Sequence, residues 1–204
     1  MQKLIFFIFV SIAVLQLTAC VTNVPKNTKN ICEMAEQNPK WYWEAQAVQK
    51  RWGIPISIQM AIIYQESNFH HNAKPPHQRL LGFIPWFRPT SAFGYSQATD
   101  ESWRVYQRST GNSSANRDNF SDTLDFIGWY ADQTHRRTGV SKRDPYKLYL
   151  AYHEGIGGYS KGTYLHKQWL INVAHKVDRR AWSYHNQLLH CHADLPKKHW
   201  WNIA

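Results

Sequence analysis

The stretch ISIQMAIIYQES, residues 56–67, predicts an apolar helix that carries a carboxylate in its last turn. Pro55 stands just before it, where a proline fits the first turn of a helix. Glu66 lies next to Ser67, among Ile, Tyr and Phe side chains. Apolar neighbours remove water from a carboxyl group and favour its neutral form, so Glu66 is the first candidate for a functional side chain.

Helical patterns continue on both sides of this stretch. WYWEAQAVQKRWG places apolar residues at helical spacing from Trp41 to Trp52 and ends at Gly53. Three helices are predicted downstream: one capped by Thr99-Asp100 and ending before Gly111, one capped by Ser121 or Asp122 and ending at Gly139, and one begun by Asp144-Pro145 and ended by Gly155, Gly157 and Gly158. A basic stretch from Tyr164 to Leu189 follows, and no convincing strand pattern or repeat is visible. The sequence therefore predicts an all-α single domain.

The N-terminus has the pattern of an export signal. A basic start precedes an apolar run from Leu4 to Leu17, which is shorter than the ~20 residues of a membrane-spanning helix. Leu17-Thr18-Ala19-Cys20 resembles a bacterial lipobox, which implies cleavage before Cys20 and a lipid on that cysteine. We therefore predict a signal peptide over 1–19, a lipidated tether over 20–40 and the domain over 41–204, with an ordinary signal peptide as the alternative.

The cysteine count is odd, at three, which leaves one cysteine to explain in an exported chain. If Cys20 carries lipid, Cys32 and Cys191 remain as a pair in an oxidising compartment and predict a disulfide. The alternative is a metal site at Cys191, which stands among four histidines: His185, His190, His192 and His199. This cluster has no second cysteine-rich half at ligand spacing, so we predict no metal.

The charge of the chain predicts an anionic partner. The formal net charge is +10, and it becomes +9 when Lys3 leaves with the signal. Export argues against nucleic acid and leaves acidic polymers or lipid headgroups of the envelope. Ten tryptophans and eleven tyrosines suit a groove that stacks on sugar faces, although most of them are expected in the core.

Two downstream motifs give Glu66 its context. They are Gly94-Tyr95-Ser96-Gln97 and Ala151-Tyr152-His153-Glu154-Gly155. The order of Glu-Ser at a helix end, Gly-x-x-Gln and Ala-Tyr-x-x-Gly resembles the lysozyme-like soluble lytic transglycosylases, the SLT domain family. The resemblance extends from about Trp41 to Leu188.

The resemblance implies an all-α, lysozyme-like domain with a glycan-binding cleft and no cofactor. Glu66 matches the single catalytic acid of the family. Gly94 and Gln97 match the segment that lines the cleft beside the acid, and Tyr152 matches a tyrosine whose hydroxyl lies near it. Ser67, Tyr95, His153 and Glu154 stand within the same motifs and are predicted to bind substrate.

The sequence departs from the family pattern in three places. Tyr95-Ser96 replaces the usual Leu-Met, and His153 replaces an asparagine whose donor contact a histidine can make. Glu154 adds a second carboxylate, which a hydrolase needs. Residues 75–90 form a surplus rich in apolar side chains, which is interpreted as a lid, as a contact surface for an envelope protein or membrane, or as a loop packed on the domain.

The function predicted from the sequence is a membrane-anchored lytic transglycosylase that cleaves the MurNAc-GlcNAc bond of peptidoglycan and leaves 1,6-anhydro ends. Two alternatives stay open: a muramidase that uses Glu154 to position water, and a non-catalytic peptidoglycan-binding lipoprotein. Val21 is not the aspartate that resembles an inner-membrane retention signal. The expected location is therefore the outer membrane, facing the periplasm.

Overall fold

A computed structural model describes residues 24–76, 79–80, 84–85, 90–191, 194–195 and 197 of the chain. Helices dominate these residues. In chain order they are α1 Ile31–Gln37, α2 Pro39–Trp52, α3 Ile56–Ser67, α4 Asp100–Thr110, α5 Phe120–Thr138, α6 Pro145–Ser160, a 3-10 turn Thr163–His166 and α7 Gln168–Cys191. Two two-residue strands, β1 Arg79–Leu80 and β2 Ile84–Pro85, pair antiparallel. The prediction of an all-α fold is confirmed.

Helix α3 lies at the centre of the domain. Nine of its twelve residues are buried, because it is apolar on all sides and the other helices surround it. It packs against α2, α5 and α7. Gln59 is a buried polar residue in this helix, and its amide donates hydrogen bonds to the carbonyls of Ala45 and Ile54 at 3.1 and 2.9 Å. The helix that carries Glu66 is thus fixed along its length.

Local sequence signals account for most helix boundaries. Gly53 and Gly139 end α2 and α5 in the left-handed conformation that glycine adopts without strain. Thr99 and Asp144 cap α4 and α6 through their side chains, as predicted. The predicted cap of α5 is wrong: Asn119, not Ser121 or Asp122, accepts the capping hydrogen bond. Asparagine is among the strongest N-cap residues, and it stands one position before the first helical residue.

The glycine-rich end of α6 differs from its prediction. Gly155 interrupts the helix with φ 73° and ψ 152°, but helical structure resumes and continues to Ser160. A single glycine in this conformation bends the chain without ending the element, because the next residues can still form their own hydrogen bonds. The bend falls directly after the His153-Glu154 pair.

The predicted tether over 20–40 is too long. Residues Ile31–Gln37 form α1, in which Ile31 and Met34 are buried against the core. Cys32 of this helix forms a disulfide with Cys191 at the end of α7, with Cα atoms 6.2 Å apart. Val24 packs against the core, and the backbone groups of Lys26 and Lys29 hydrogen-bond to the side chains of Gln37 and Gln187, so the part of the tether from Val24 onward belongs to the folded structure.

No helix among the described residues has the length and apolar character needed to cross a membrane. The predicted signal peptide and Cys20 lie outside the described residues, as do His192 and His199.

Candidate active site

The chain reverses sharply just after Glu66. Asn68 and Phe69 both have positive φ, at 48° and 65°, and Asn68 ends α3 in the left-handed conformation. Asparagine tolerates this conformation, whereas the aromatic residue is held there by packing. The buried Phe69 ring stacks on Trp41 with ring centroids 5.8 Å apart. The end of the helix, and with it the position of Glu66, is thus fixed by the core.

Glu66 is half-buried at the C-terminal end of α3. Burial raises its pKa from 4.5 to about 7, and a hydrogen bond from the Tyr149 side chain opposes this increase. Near neutral pH this carboxyl can therefore hold a proton and also release it. That property is required of one group that acts first as an acid and then as a base.

Two tyrosines of α6 lie beside Glu66. Burial raises the pKa of Tyr149, and the nearby Glu66 carboxyl raises it further, so this hydroxyl stays protonated and donates to the glutamate. Burial also raises the pKa of Tyr152, with a smaller electrostatic contribution from Glu66. Tyr149 was not predicted from the sequence. Its signal was present, because residues three apart on a helix share a face and Tyr152 was already a candidate.

Tyr152 links the three sequence motifs in space. Its hydroxyl donates a 2.7 Å hydrogen bond to the carbonyl of Ser96, within the Gly-x-x-Gln segment. The same side chain is close enough to Glu66 for the two to interact electrostatically. The helix end, the Gly94–Gln97 segment and α6 therefore meet at one place.

The Gly94–Gln97 segment is held by its own backbone and by Arg117. Gly94 has φ 76°, and a Cβ atom there would lie 2.1 Å from the carbonyl oxygen of Arg117, so only glycine fits. The Gln97 amide donates to the carbonyls of Ala73 and Gly94 at 2.9 and 2.8 Å. Its NH2 group therefore stabilises this loop, and a contact of Gln97 with a sugar or with Glu66 stays a prediction.

Arg117 was not predicted and supports the same segment from outside. Its guanidinium donates to the carbonyls of Ser91 and Ala98 and pairs with Asp100 at 2.7 Å. Nothing in the local sequence distinguishes this arginine from the other basic residues, because its partners lie 17 to 26 residues away.

Two predicted substrate contacts need correction. The Tyr95 side chain is 1% exposed and packs edge-on against Trp41 and Phe120, so its ring cannot contact a glycan. Ser67 is also buried, and its hydroxyl donates to the carbonyl of Ile63 one helical turn earlier. Both residues belong to the core that supports the site.

The second carboxylate is engaged in an ion pair. Glu154 is 4% exposed and accepts hydrogen bonds from Lys167, at 2.8 and 3.0 Å, and from Thr163. Burial alone would raise its pKa, but the hydrogen bonds from Lys167 and Thr163 outweigh it and hold the pKa below the ordinary value. His153, in contrast, is exposed, and its ring lies 5.0 Å from that of Trp169, which is 56% exposed.

The metal alternative has no support among the described residues. They contain no group of three or more His, Cys, Asp and Glu side chains arranged to hold an ion. Cys191, the proposed ligand, is bonded to Cys32. Most of the 75–90 surplus lies outside the described residues, so its interpretation as a partner surface stays a prediction.

The fold and the site together define a class: a helical domain whose central helix carries a shielded glutamate in its last turn. The glutamate holds a proton near neutral pH and lies beside two tyrosines, one buried and one partly buried. Residues 8–191 match the family model described as "Transglycosylase SLT domain", and the chain belongs to this family. It is therefore a peptidoglycan lytic transglycosylase with the lysozyme-like fold of that family. No curated protein sequence matches the chain.

Proposed function

We propose that the protein cleaves the bond between MurNAc and GlcNAc with Glu66 as its acid and base. Glu66 donates its proton to the bridging oxygen, and the bond from C1 to that oxygen breaks. The acetamido group of the substrate stabilises the positive charge at C1. The ionised Glu66 then takes the proton of the C6 hydroxyl while its oxygen bonds to C1, which gives a 1,6-anhydro end and restores the acid.

The single observation that supports this proposal is the environment of Glu66. Its pKa of about 7 lets the carboxyl be protonated at the first step and ionised at the second near neutral pH. The hydrogen bond from Tyr149 orients the carboxyl and stabilises its ionised form between the two steps. No metal or organic cofactor is needed for either proton transfer.

The muramidase alternative requires a second carboxylate that can bind water. Glu154 is a poor candidate, because its oxygens accept hydrogen bonds from Lys167 and Thr163 and its side chain is almost fully buried. Both oxygens of the carboxylate are thus engaged by side chains of the protein rather than by a reacting water. The geometry therefore favours the anhydro route over hydrolysis.

The products distinguish these routes. Mass spectrometry of isolated sacculi digested by the purified protein should show glycan ends lighter by one water molecule than reducing ends. Reducing ends would assign the chain to the hydrolases, and release of no soluble fragment would favour the non-catalytic alternative. A Glu66→Gln preparation serves as the control for contaminating lysins.

We propose further that the protein acts from a lipid anchor at Cys20, in the outer membrane facing the periplasm. The lipobox-like sequence supports this location. Cys20→Ser should move the protein from the membrane fraction to the soluble periplasmic fraction and leave its activity on sacculi unchanged. Wild-type protein in the soluble fraction would contradict the proposal.

A further inference from the structure

Helix α7 presents an outward face that no other described element covers. Its buried residues, Leu170, Ala174, Val177, Ala181 and Tyr184, recur at helical spacing and face the core. On the opposite side stand Lys176, Arg179, Trp182 and Leu189, and all four are exposed. Trp182 is 62% and Leu189 is 65% exposed, so this face presents two large apolar side chains to solvent beside its two cations. We call these four residues the α7 outer face.

The cations of this face have no acidic partners. Lys176 and Arg179 form no ion pair with any described residue. Asp178, the one acidic residue of α7, lies at the edge of the face by helical position. A basic face that carries exposed Trp and Leu has the composition of helices that lie in the plane of a membrane interface.

A cavity of about 400 Å³ adjoins the α7 outer face, between α7 and α3. Its lining includes Lys176, Arg179 and Arg180, and none of its lining residues is acidic. The Arg180 guanidinium is held over the Tyr64 ring, 4.1 Å from its centroid, so this cation is already oriented. A cavity of this size with three cations fits a phosphate-bearing headgroup.

The N-terminal segment of the domain runs beside the same helix. The Gln187 side chain of α7 accepts from the Ile31 amide and donates to the Lys29 carbonyl, at 2.8 and 3.1 Å. Tyr184 donates to the Thr28 carbonyl. Only three residues lie between Cys20 and Val24, the first described residue, and the four steps from Cα to Cα span at most about 14 Å. A lipid on Cys20 would therefore keep this side of the domain at the membrane surface.

We propose that the α7 outer face docks on anionic phospholipid headgroups, with a headgroup phosphate in the adjoining cavity. This inference rests on the proposed lipid anchor for its orientation, but its binding test does not need the lipid. Docking would hold the domain in one orientation on the membrane, so that the chain is not merely tethered near it. Charge complementarity calls for an anion, and the exposed Trp182 and Leu189 beside the cations, with the short chain to Cys20, favour phospholipid over the other anions of the envelope.

The test uses residues 21–204, which include every described residue, purified with the disulfide formed. Co-sedimentation measures partition onto phosphatidylcholine vesicles with and without phosphatidylglycerol. The test variant is Lys176→Gln with Arg179→Gln. The matched control is Arg104→Gln with Arg108→Gln, because these two arginines of α4 are exposed, one helical turn apart and unpaired among the described residues.

We expect the wild type to bind only the vesicles that contain phosphatidylglycerol. The test variant should bind them about 30-fold more weakly, since each basic residue at an anionic surface contributes roughly a five-fold factor. The control variant should bind like the wild type. Trp182→Ser should also weaken binding without a change of charge.

Three results would overturn the proposal. They are binding to both kinds of vesicle or to neither, equal loss in the test and control variants, and a test variant that keeps vesicle binding but loses activity on sacculi. The last result would assign the cations to the cell wall instead. Digestion of sacculi by the wild type is measured in the same series. If the wild type digests sacculi but does not bind vesicles, the docking proposal fails and the proposed enzymatic function stands.

Discussion

Substitution of Glu66 by glutamine removes the proton that the proposed reaction needs and keeps the volume of the side chain. A positioned general acid or base contributes typically about 100- to 10,000-fold to a rate, so release of fragments from sacculi should fall by at least this much. The activity of the wild type should itself decline as the pH rises through about 7, because the acid form of Glu66 is lost there.

The same substitution has a calculable effect on stability. Burial raises the pKa of Glu66 from 4.5 to about 7, so the folded protein holds this proton more tightly than the unfolded chain does. The stability from that proton is fully present below pH 4.5 and is lost as the pH rises towards 7. At ~1.4 kcal/mol for each tenfold change in the ionisation equilibrium, ionised Glu66 costs the fold about 3 kcal/mol. Glu66→Gln has no such cost.

Urea unfolding of both proteins from pH 4 to pH 8 measures the difference. The free energy of unfolding of Glu66→Gln, relative to the wild type, should increase by about 3 kcal/mol over this range, most of it below pH 7. Glu154→Gln is the control: the pKa of Glu154 is held below 4.5, so its ionised form stabilises the fold above that pH and this stability is lost only at lower pH. The stability difference between this variant and the wild type should therefore stay constant from about pH 5 to pH 8, where that of Glu66→Gln changes. A stability difference for Glu66→Gln that does not change with pH would refute the shielded environment of this carboxyl.

Three further predictions test the surroundings of the site. Tyr149→Phe removes a hydrogen bond that lowers the pKa of Glu66, so the alkaline limb of the pH-activity profile should move to higher pH. An unchanged limb would contradict this contact. Gly94→Ala places a Cβ atom against the Arg117 carbonyl at positive φ, so urea titrations should show a fold less stable by about 2–4 kcal/mol. An unchanged urea midpoint would mean that the loop adapts freely. Reduction of the Cys32–Cys191 disulfide opens a link between residues 159 positions apart in sequence. It should lower the free energy of unfolding by at most about 5 kcal/mol and leave activity at moderate temperature intact. Loss of activity in a reduced protein that is still folded would contradict a purely structural role.

The helices were predictable because their signals are local. Thr99 and Asp144 cap the helices that follow them, and Gly53 and Gly139 end the helices before them, at positions visible in the sequence. Helix α1 was not predicted, because its local signals are weak. It has seven residues, too few to show a periodic pattern, and its one local signal is the Asn30 side chain, which caps it. Burial of Ile31 and the disulfide, which depend on the rest of the fold, also stabilise it.

The candidate site was predictable only in part. The order of motifs identified Glu66 and the segments around it, but not what each side chain contacts. Tyr95 packs in the core because Trp41 and Phe120, distant in sequence, meet it there. Tyr149 reaches the acid because α6 lies beside the end of α3. Contacts of this kind depend on how the helices pack, and no pattern within a single helix specifies them.

The two carboxylates of the motifs show how packing separates residues that look alike in sequence. Burial dominates at Glu66 and raises its pKa, because only a tyrosine hydroxyl opposes it. At Glu154 burial is outweighed by Lys167 and Thr163, and the carboxyl stays ionised in an ion pair. A hydrolase needs the second carboxylate to be open to water, whereas the anhydro route needs one carboxyl that exchanges a proton near neutral pH. Glu66 meets the requirement of the anhydro route, whereas Glu154 does not meet that of a hydrolase. The arrangement therefore favours a reaction in which the substrate's own C6 hydroxyl, rather than water, attacks C1.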